Sequence, residues 1–419
     1  MPHALRRVSW AIAALALALA LLAPFGGRLR AEPVSGFVHA EGKRLIGPDG
    51  REFLVRGVNL GHWLVPEAYM FGFDGDTTRA QMHDLFARLL GAPGADEFWQ
   101  RFRNTFIGED DIRFIAAAGF NTVRVPLDWT MFVRRDGEDG APKFDGPGYA
   151  LIDRLLGWAR AAGLRVILDL HAAPGGQTGA SFDGGSGYPL LFYVPADRDL
   201  TVRLWQVLAQ RYRDEPAVLG YDLLNEPVAP YHDTKYLEPR LGPLLREITA
   251  AIRAVDPNHL VLLTGGRWST TVDALGPPFA RNVAYTYHMF WARPQRSSIQ
   301  RLLNFRDRYD VPLILTETGE ADEDWVVAFR RLNETNGIGW VLWTYKNMAS
   351  PATIVAVAKP ANWQAIVDYV NRARNGADVA PPSRPVAERA FVDYLAAIAF
   401  RNGTIKQSYL QALGLKAPP

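Results

Sequence analysis

The sequence predicts a (β/α)8 barrel in a single domain. Three observations lead there. Eight short runs of apolar and β-branched residues recur along the 419-residue chain. The stretches between them carry apolar residues at three- and four-residue spacing, the period of an amphipathic helix. The runs are also nearly continuous in their apolar character, as parallel strands buried on both faces require. Eight strand–helix units close into a barrel more naturally than they extend an open, doubly wound sheet.

The runs are EFLVRGVN (52–59), TVRVP (122–126), RVILDLH (165–171) and VLGYDLLNE (218–226). HLVLLTG (259–265), VAYTYH (283–288), PLILTE (312–317) and GWVLWT (339–344) follow. Helical patterns between them, such as EDDIRFIAAAG (109–119), GYALIDRLLGWARAAG (148–163) and LEPRLGPLLREITAAIRAVDP (237–257), end in Gly or Asp-Pro, as helices do. Two connections are long: Leu60 to about Gly108, after the first run, and the Gly-rich stretch from Ala172 to about Leu200, after the third. Both follow strands, on the face where such barrels carry their sites. Past Trp343 the chain has room for the eighth helix and an extra C-terminal helix, VAERAFVDYLAAIAF (386–400), with the loop NGADVAPPSRP (375–385) between them.

Residues 1–31 stand apart. Arg6 and Arg7 precede an apolar stretch from Val8 to Phe25, and Pro24, Gly26 and Gly27 lie at its end. This pattern predicts a secretory signal or an uncleaved membrane anchor, and hence an exported or membrane-tethered domain over 32–419. The four arginines of the leader account for the formal +2 charge; without them 42 basic residues face 44 acidic ones. A near-neutral domain has no electrostatic footprint for nucleic acid. The absence of cysteine excludes disulfides and thiolate chemistry. The eight histidines show no metal-ligand spacing, so no metal and no cofactor are expected. A monomer is expected.

Polar residues collect where the apolar runs stop: Asn59 and His62, Asp169 and His171, Asn225 and Glu226, Tyr287 and His288, Glu317, and Trp343, with Arg124 inside the second run. One strand-end acid usually caps a helix or satisfies backbone. So many strands ending this way call for a site. Glutamates on the fourth and seventh strands would face each other across the barrel mouth. Paired carboxylates there are the apparatus of glycoside hydrolysis: one protonated, one ionised, their environments holding the two pKa values apart. Arg124 is placed to keep its neighbour ionised. Glu320, in the loop GEADED (319–324), reads as a helix-start acid. Flat aromatics pack on pyranose faces, and Trp63, Trp129, Trp268, Trp291 and Trp343 fall near strand ends. Trp63, Trp291 and Trp343 are expected in the cleft, although barrels also use Trp as filler. APGGQTG (173–179) reads as a loop that shapes the cleft, and Asp169 as a hydrogen-bonding residue of the barrel.

The ordered set VRVP (123–126), DLH (169–171), NEP (225–227), TETG (316–319) and WT (343–344) resembles glycoside hydrolase family 5 over roughly residues 45–350. RGVNLGHWL (56–64) and DLHAAPGGQTG (169–179) are most similar to its exo-β-1,3-glucanase branch. The resemblance implies a retaining β-glycosidase acting on a β-linked glucan. Glu226 would be its acid/base and Glu317 its nucleophile, with Asn225 on the sugar 2-hydroxyl. His171, His288 and Trp343 would line the reacting subsite. One departure stands out. The family usually has tyrosine two residues after the sixth-strand histidine, whereas His288 here is followed by Met289 and Phe290. Glycosyl transfer, another β-linked substrate such as mannan or a glycolipid, and a glycan-binding barrel without turnover remain alternatives.

Overall fold

The computed structural model describes residues 35–136, 140–348 and 350–418. The expected leader lies outside these residues. Eight parallel strands close into a barrel: β1 (Arg56–Asn59), β2 (Thr122–Asp128), β3 (Arg165–Ala172), β4 (Val218–Asp222), β5 (Leu260–Thr264), β6 (Val283–His288), β7 (Leu313–Gly319) and β8 (Gly339–Trp343). Closure runs through β8 and β1, with Trp340 opposite Arg56 and Leu342 opposite Val58. The predicted barrel is therefore the observed fold. The first run enters its strand only at Arg56. The fourth leaves its strand after Asp222, so Leu223–Glu226 form a segment beyond the strand end, held by the Asn225 amide donating to the Leu170 carbonyl at 2.9 Å.

Strand alternation sets what lies inside. An inner apolar cluster of Ile167, Leu219, Leu262, Ala284, Ile314 and Val341 fills the lower barrel. Val38 and Leu45, from the strands His39–Glu41 and Arg44–Ile46 and the residue before them, join this cluster and plug the N-terminal end. Asp169 comes two residues past Ile167 on the same strand face and pairs with Arg124, so a polar layer lies above the apolar one.

Both long connections carry more structure than their sequences suggested. The first holds the helices Arg79–Leu90 and Ala92–Phe106. Thr78 opens the first of them with a reciprocal cap: Gln81 N donates to Thr78 Oγ1 at 3.2 Å, and Thr78 N donates to Gln81 Oε1 at 2.8 Å. The helices form an aromatic block with the C-terminal helices Trp363–Ala373 and Arg384–Ala397. In it Phe86 stacks on Trp99 at 5.3 Å and Trp363 on Tyr394 at 4.3 Å. The second connection contains two short 3-10 turns and the start of the helix Pro195–Tyr212. The C-terminal helix is present, and a further helix, Gln407–Ala412, follows it. The described residues belong to one compact unit.

Candidate active site

Arg124 is the hub beneath the barrel mouth. It is fully buried, and its guanidinium is saturated. Nε donates to Asp222 Oδ2 at 2.9 Å, Nη1 to Asn59 Oδ1 at 3.0 Å and Glu317 Oε1 at 2.5 Å, and Nη2 to Asn225 Oδ1 at 2.9 Å. Nη2 also pairs with Asp169 Oδ1 at 3.0 Å. Asn59 is itself fixed, donating from Nδ2 to the carbonyls of Thr316 and Leu342. One cation thus serves three buried carboxylates. Burial works against its charge, but Asp169, Asp222 and Glu317 outweigh burial and hold its pKa above the ordinary value. Burial raises Asp169 and Asp222 to about 7 each, against the pull of Arg124.

Glu226 and Glu317 both approach the same ring nitrogen of His288. His288 Nδ1 is 2.9 Å from Glu226 Oε1 and 3.6 Å from Glu317 Oε2. One side-chain oxygen from each glutamate and a ring nitrogen of His288 all lie within 4.8 Å of one another. This trio is the group among the described residues that could hold a metal ion, and Arg124 already supplies a cation to one of its members. Burial pushes Glu226 up to about 7, with Arg124 opposing. Glu317 is also raised by burial, but both His288 and Arg124 pull it down. Burial lowers His288 and His171 to about 3, so both rings are neutral at pH 7. His171 places Nδ1 2.8 Å from Asp169 Oδ2 and Nε2 3.2 Å from Asn225 Nδ2. A proton on Nδ1 satisfies both contacts. Asp169 is thus the hydrogen-bonding residue expected from the sequence.

The His171 ring stacks on Trp343 at 5.5 Å and 8°. The chain after β1 passes close behind that indole: a Cβ on Gly61 would come within 2.9 Å of Trp343 Cη2. Only glycine allows that approach. Tyr69 completes the wall. Its hydroxyl accepts from Trp343 Nε1 at 3.0 Å and lies 3.1 Å from His62 Nε2.

These groups surround a cavity of about 570 Å³. His171, Glu226, His288, Trp291, Glu317 and Trp343 line it, and Phe290 lies in its wall. Several expectations need correction. Trp63 is not a cleft residue; it is fully buried in the core and donates from Nε1 to the Arg103 carbonyl at 2.7 Å. Arg124 and Asn225 are buried just below the lining, Arg124 against Glu317 and Asn225 against His171. Glu320 does not start a helix, since Asp322 caps Glu323–Glu334; Glu320 instead turns into the cavity at φ 52°. Neither nearby tyrosine replaces the missing hydroxyl. Tyr287 donates to Asn333 Oδ1 and Tyr285 to the Gly276 carbonyl, both outside the barrel. Trp129 lines a separate, larger cavity of about 1000 Å³, beyond the Arg79–Asp128 ion pair, which contains none of the paired glutamates.

Glu67, Tyr69, Phe182 and Gln177 escaped the sequence reading. Burial raises Glu67 well above the carboxylate range, reinforced by Glu317, Glu320 and Glu226. Gln177 donates from Nε2 to the carbonyls of His171 (2.7 Å) and Asn225 (2.9 Å), tying β3 to the segment after β4. All four come from the connections after β1 and β3, where no periodicity marks which side chain turns inward.

Paired carboxylates at the mouth of a parallel barrel are an arrangement that glycoside hydrolysis uses. The chain belongs to the cellulase family, glycosyl hydrolase family 5, whose model matches residues 89–349. It is 30% identical over 256 residues to a beta-xylosidase of Phanerodontia chrysosporium, covering 60% of this chain and 51% of the relative. It is 34% identical over 220 residues to a probable glucan 1,3-beta-glucosidase A of Aspergillus fumigatus, covering 52% and 51%. The chain thus spans about half the length of these curated relatives. A crystal structure of an endogalactoceramidase shares the fold with a TM-score of 0.57 at 22% identity, covering 86% of this chain and 85% of that one.

Proposed function

We propose that the protein is a retaining β-glycosidase that cleaves a β-linked glucan. Glu317 acts as its nucleophile and Glu226 as its acid/base. The observation that carries this reading is the pair itself: carboxylate oxygens within 4.8 Å across a cavity, one of them paired with Arg124. Retaining enzymes hold their carboxyls about 5–5.5 Å apart; inverting ones leave about 6.5–9.5 Å for a water.

In the first step Glu226 gives its proton to the glycosidic oxygen while a Glu317 oxygen bonds to the anomeric carbon. The carbon–oxygen bond breaks and the alcohol leaves, giving a glycosyl ester on Glu317. Glu226, now ionised, takes a proton from water, whose oxygen displaces Glu317 and restores both groups. Glu226 is suited to the acid role because burial holds it protonated to about pH 7. Glu317 is suited to attack because Arg124, which donates to its Oε1, favours its ionised form. Asn225 presents its amide from beneath the sugar, with Oδ1 fixed by Arg124. His171 and Trp343 form the platform, and Trp291 stands at the rim. The relatives' printed names support a β-linked substrate. The basic-then-apolar leader supports export or tethering at a membrane.

Product analysis on laminarin, cellulose, mannan and aryl β-glucosides tests the reading. Wild type should release sugar from one glucan, with the anomeric configuration retained. Glu226→Gln and Glu317→Gln should lose most of that activity. Glucan binding without product in wild type would establish a binding barrel instead.

A further inference from the structure

His62 stands where the backbone favours glycine. It follows Gly61 in the connection after β1, and its φ is 73°. Non-glycine residues rarely adopt this region, and one held there directs attention to its side chain. His62 is fully buried and does not itself line the reaction cavity. Its ring stands edge-on behind the cavity wall, 5.5 Å from the Trp343 ring and 5.0 Å from that of Tyr69. Its Nε2 lies 3.1 Å from the Tyr69 hydroxyl. Its Nδ1 has no hydrogen-bond partner among the described residues, and neither has Glu67 Oε1. These two orphaned atoms face each other at 3.6 Å. A shift of about 0.5 Å in either side chain brings them within hydrogen-bond distance.

Counting donors and acceptors places the protons. Burial holds the His62 ring neutral, so one nitrogen carries a proton and the other accepts one. Burial, reinforced by Glu317, Glu320 and Glu226, raises Glu67 well above the carboxylate range, against the pull of Arg79. Its carboxyl group therefore has a proton to donate. A carboxylic acid is the strongest donor of this set and a bare imidazole nitrogen the strongest acceptor, so Nδ1 accepts and Nε2 carries the ring proton toward Tyr69. The Tyr69 oxygen already accepts from Trp343 Nε1 at 3.0 Å. With a second donor at Nε2, both of its acceptor positions are filled. The phenolic proton is left free, and Tyr69 lines the cavity. The reverse arrangement, with Tyr69 donating to Nε2, would turn that proton back into the wall.

We infer that His62 is a positioning residue, which fixes the Tyr69 hydroxyl as a hydrogen-bond donor into the reaction cavity. The group it serves is an oxygen of the bound sugar, a hydroxyl or the ring oxygen, with a lone pair to offer. The inference rests on the glycosidase reading for its ligand. It goes beyond that reading by giving a role to a residue that no substrate touches.

His62→Asn and His62→Gln test it. Asparagine tolerates φ 73° and sets its amide near the Nδ1 position, out of reach of Tyr69, whereas the amide nitrogen of glutamine reaches the Nε2 position. On an aryl β-glucoside, His62→Asn should raise KM about 5-fold, the value of one hydrogen bond, with kcat changed by less than about 2-fold. His62→Gln should restore most of the loss. In a Tyr69→Phe background, His62→Asn should add nothing. An equal rise in both backgrounds, or failure of His62→Gln to rescue, would make His62 a packing residue and refute the proposal. ¹⁵N NMR of wild type, with the ring signals assigned by their absence from the His62 variants, reads the tautomer without substrate. A proton on Nε2 is expected, and a proton on Nδ1 overturns the proposal even if glucan is hydrolysed, leaving the glycosidase reading intact. If nothing is hydrolysed, the same cycle is read from the Kd of laminaribiose and cellobiose. A proton on Nε2 with a non-additive cycle in Kd would then keep His62 in its role while the glycosidase reading falls.

Discussion

Replacing Arg124 with lysine isolates what the guanidinium does for Glu317. Lysine keeps the positive charge but has a single ammonium with three donors. It cannot meet Asp222, Asn59, Glu317, Asn225 and Asp169 together, as Arg124 does at 2.5–3.0 Å. Suppose the 2.5 Å contact with Glu317 is lost. A charge-assisted hydrogen bond contributes about 1.5–3 kcal/mol, and 1.36 kcal/mol corresponds to one pH unit of titration. The Glu317 carboxyl should then titrate about 1–2 units higher. Burial already raises it and Arg124 lowers it, so weakening Arg124 moves it upward. The acid limb of the kcat/KM–pH profile should shift to higher pH by that amount, and activity at the wild-type optimum should fall about 10- to 100-fold. Full kinetics from pH 4 to 9 on an aryl β-glucoside, with chemical unfolding in parallel, measure both. A loss of stability without movement of the acid limb would refute the reasoning and leave Arg124 a structural residue only.

The alkaline limb of wild-type kcat/KM should fall near pH 7, where Glu226 loses the proton it must donate; a plateau extending to pH 9 would exclude Glu226 as the acid. The same shift predicts a stability effect. Glu226 titrates at about 7 in the folded chain against an ordinary 4.5, so its stabilising contribution is present below pH 4.5 and lost as pH rises through 7. Glu226→Gln should therefore be more stable than wild type by about 1–3 kcal/mol at pH 8 and nearly equal to it at pH 4, as read by urea unfolding at both pH values. Trp63→Ala should cost about 3–5 kcal/mol of stability because it empties a core site, whereas Trp291→Ala, at 70% exposure, should change stability by less than about 0.5 kcal/mol and raise KM. Tyr69→Phe removes the acceptor of Trp343 Nε1 and should weaken substrate binding by about 1 kcal/mol, visible as a higher KM with kcat little changed.

The sequence by itself determined the barrel and the residues at its strand ends. Strands buried on both faces must be apolar along their length, so a polar residue at the end of such a run is conspicuous. Glu226, Glu317, His171 and His288 were legible for that reason, and all four line the cavity. Proximity along the chain carries no such information in loops. Trp63 and Trp291 both lie near strand ends, yet one is core and the other rim, because the helices of the first connection fold over Trp63 and nothing covers Trp291. Glu320 looked like a helix acid, but Asp322 caps the helix and a positive φ turns Glu320 into the cavity. Tertiary structure alone decided that Arg124 serves three carboxylates rather than one. It also placed Glu67 and Tyr69 in the wall. Those relations cross between strands and loops distant in sequence, and only closure of the barrel brings them within contact.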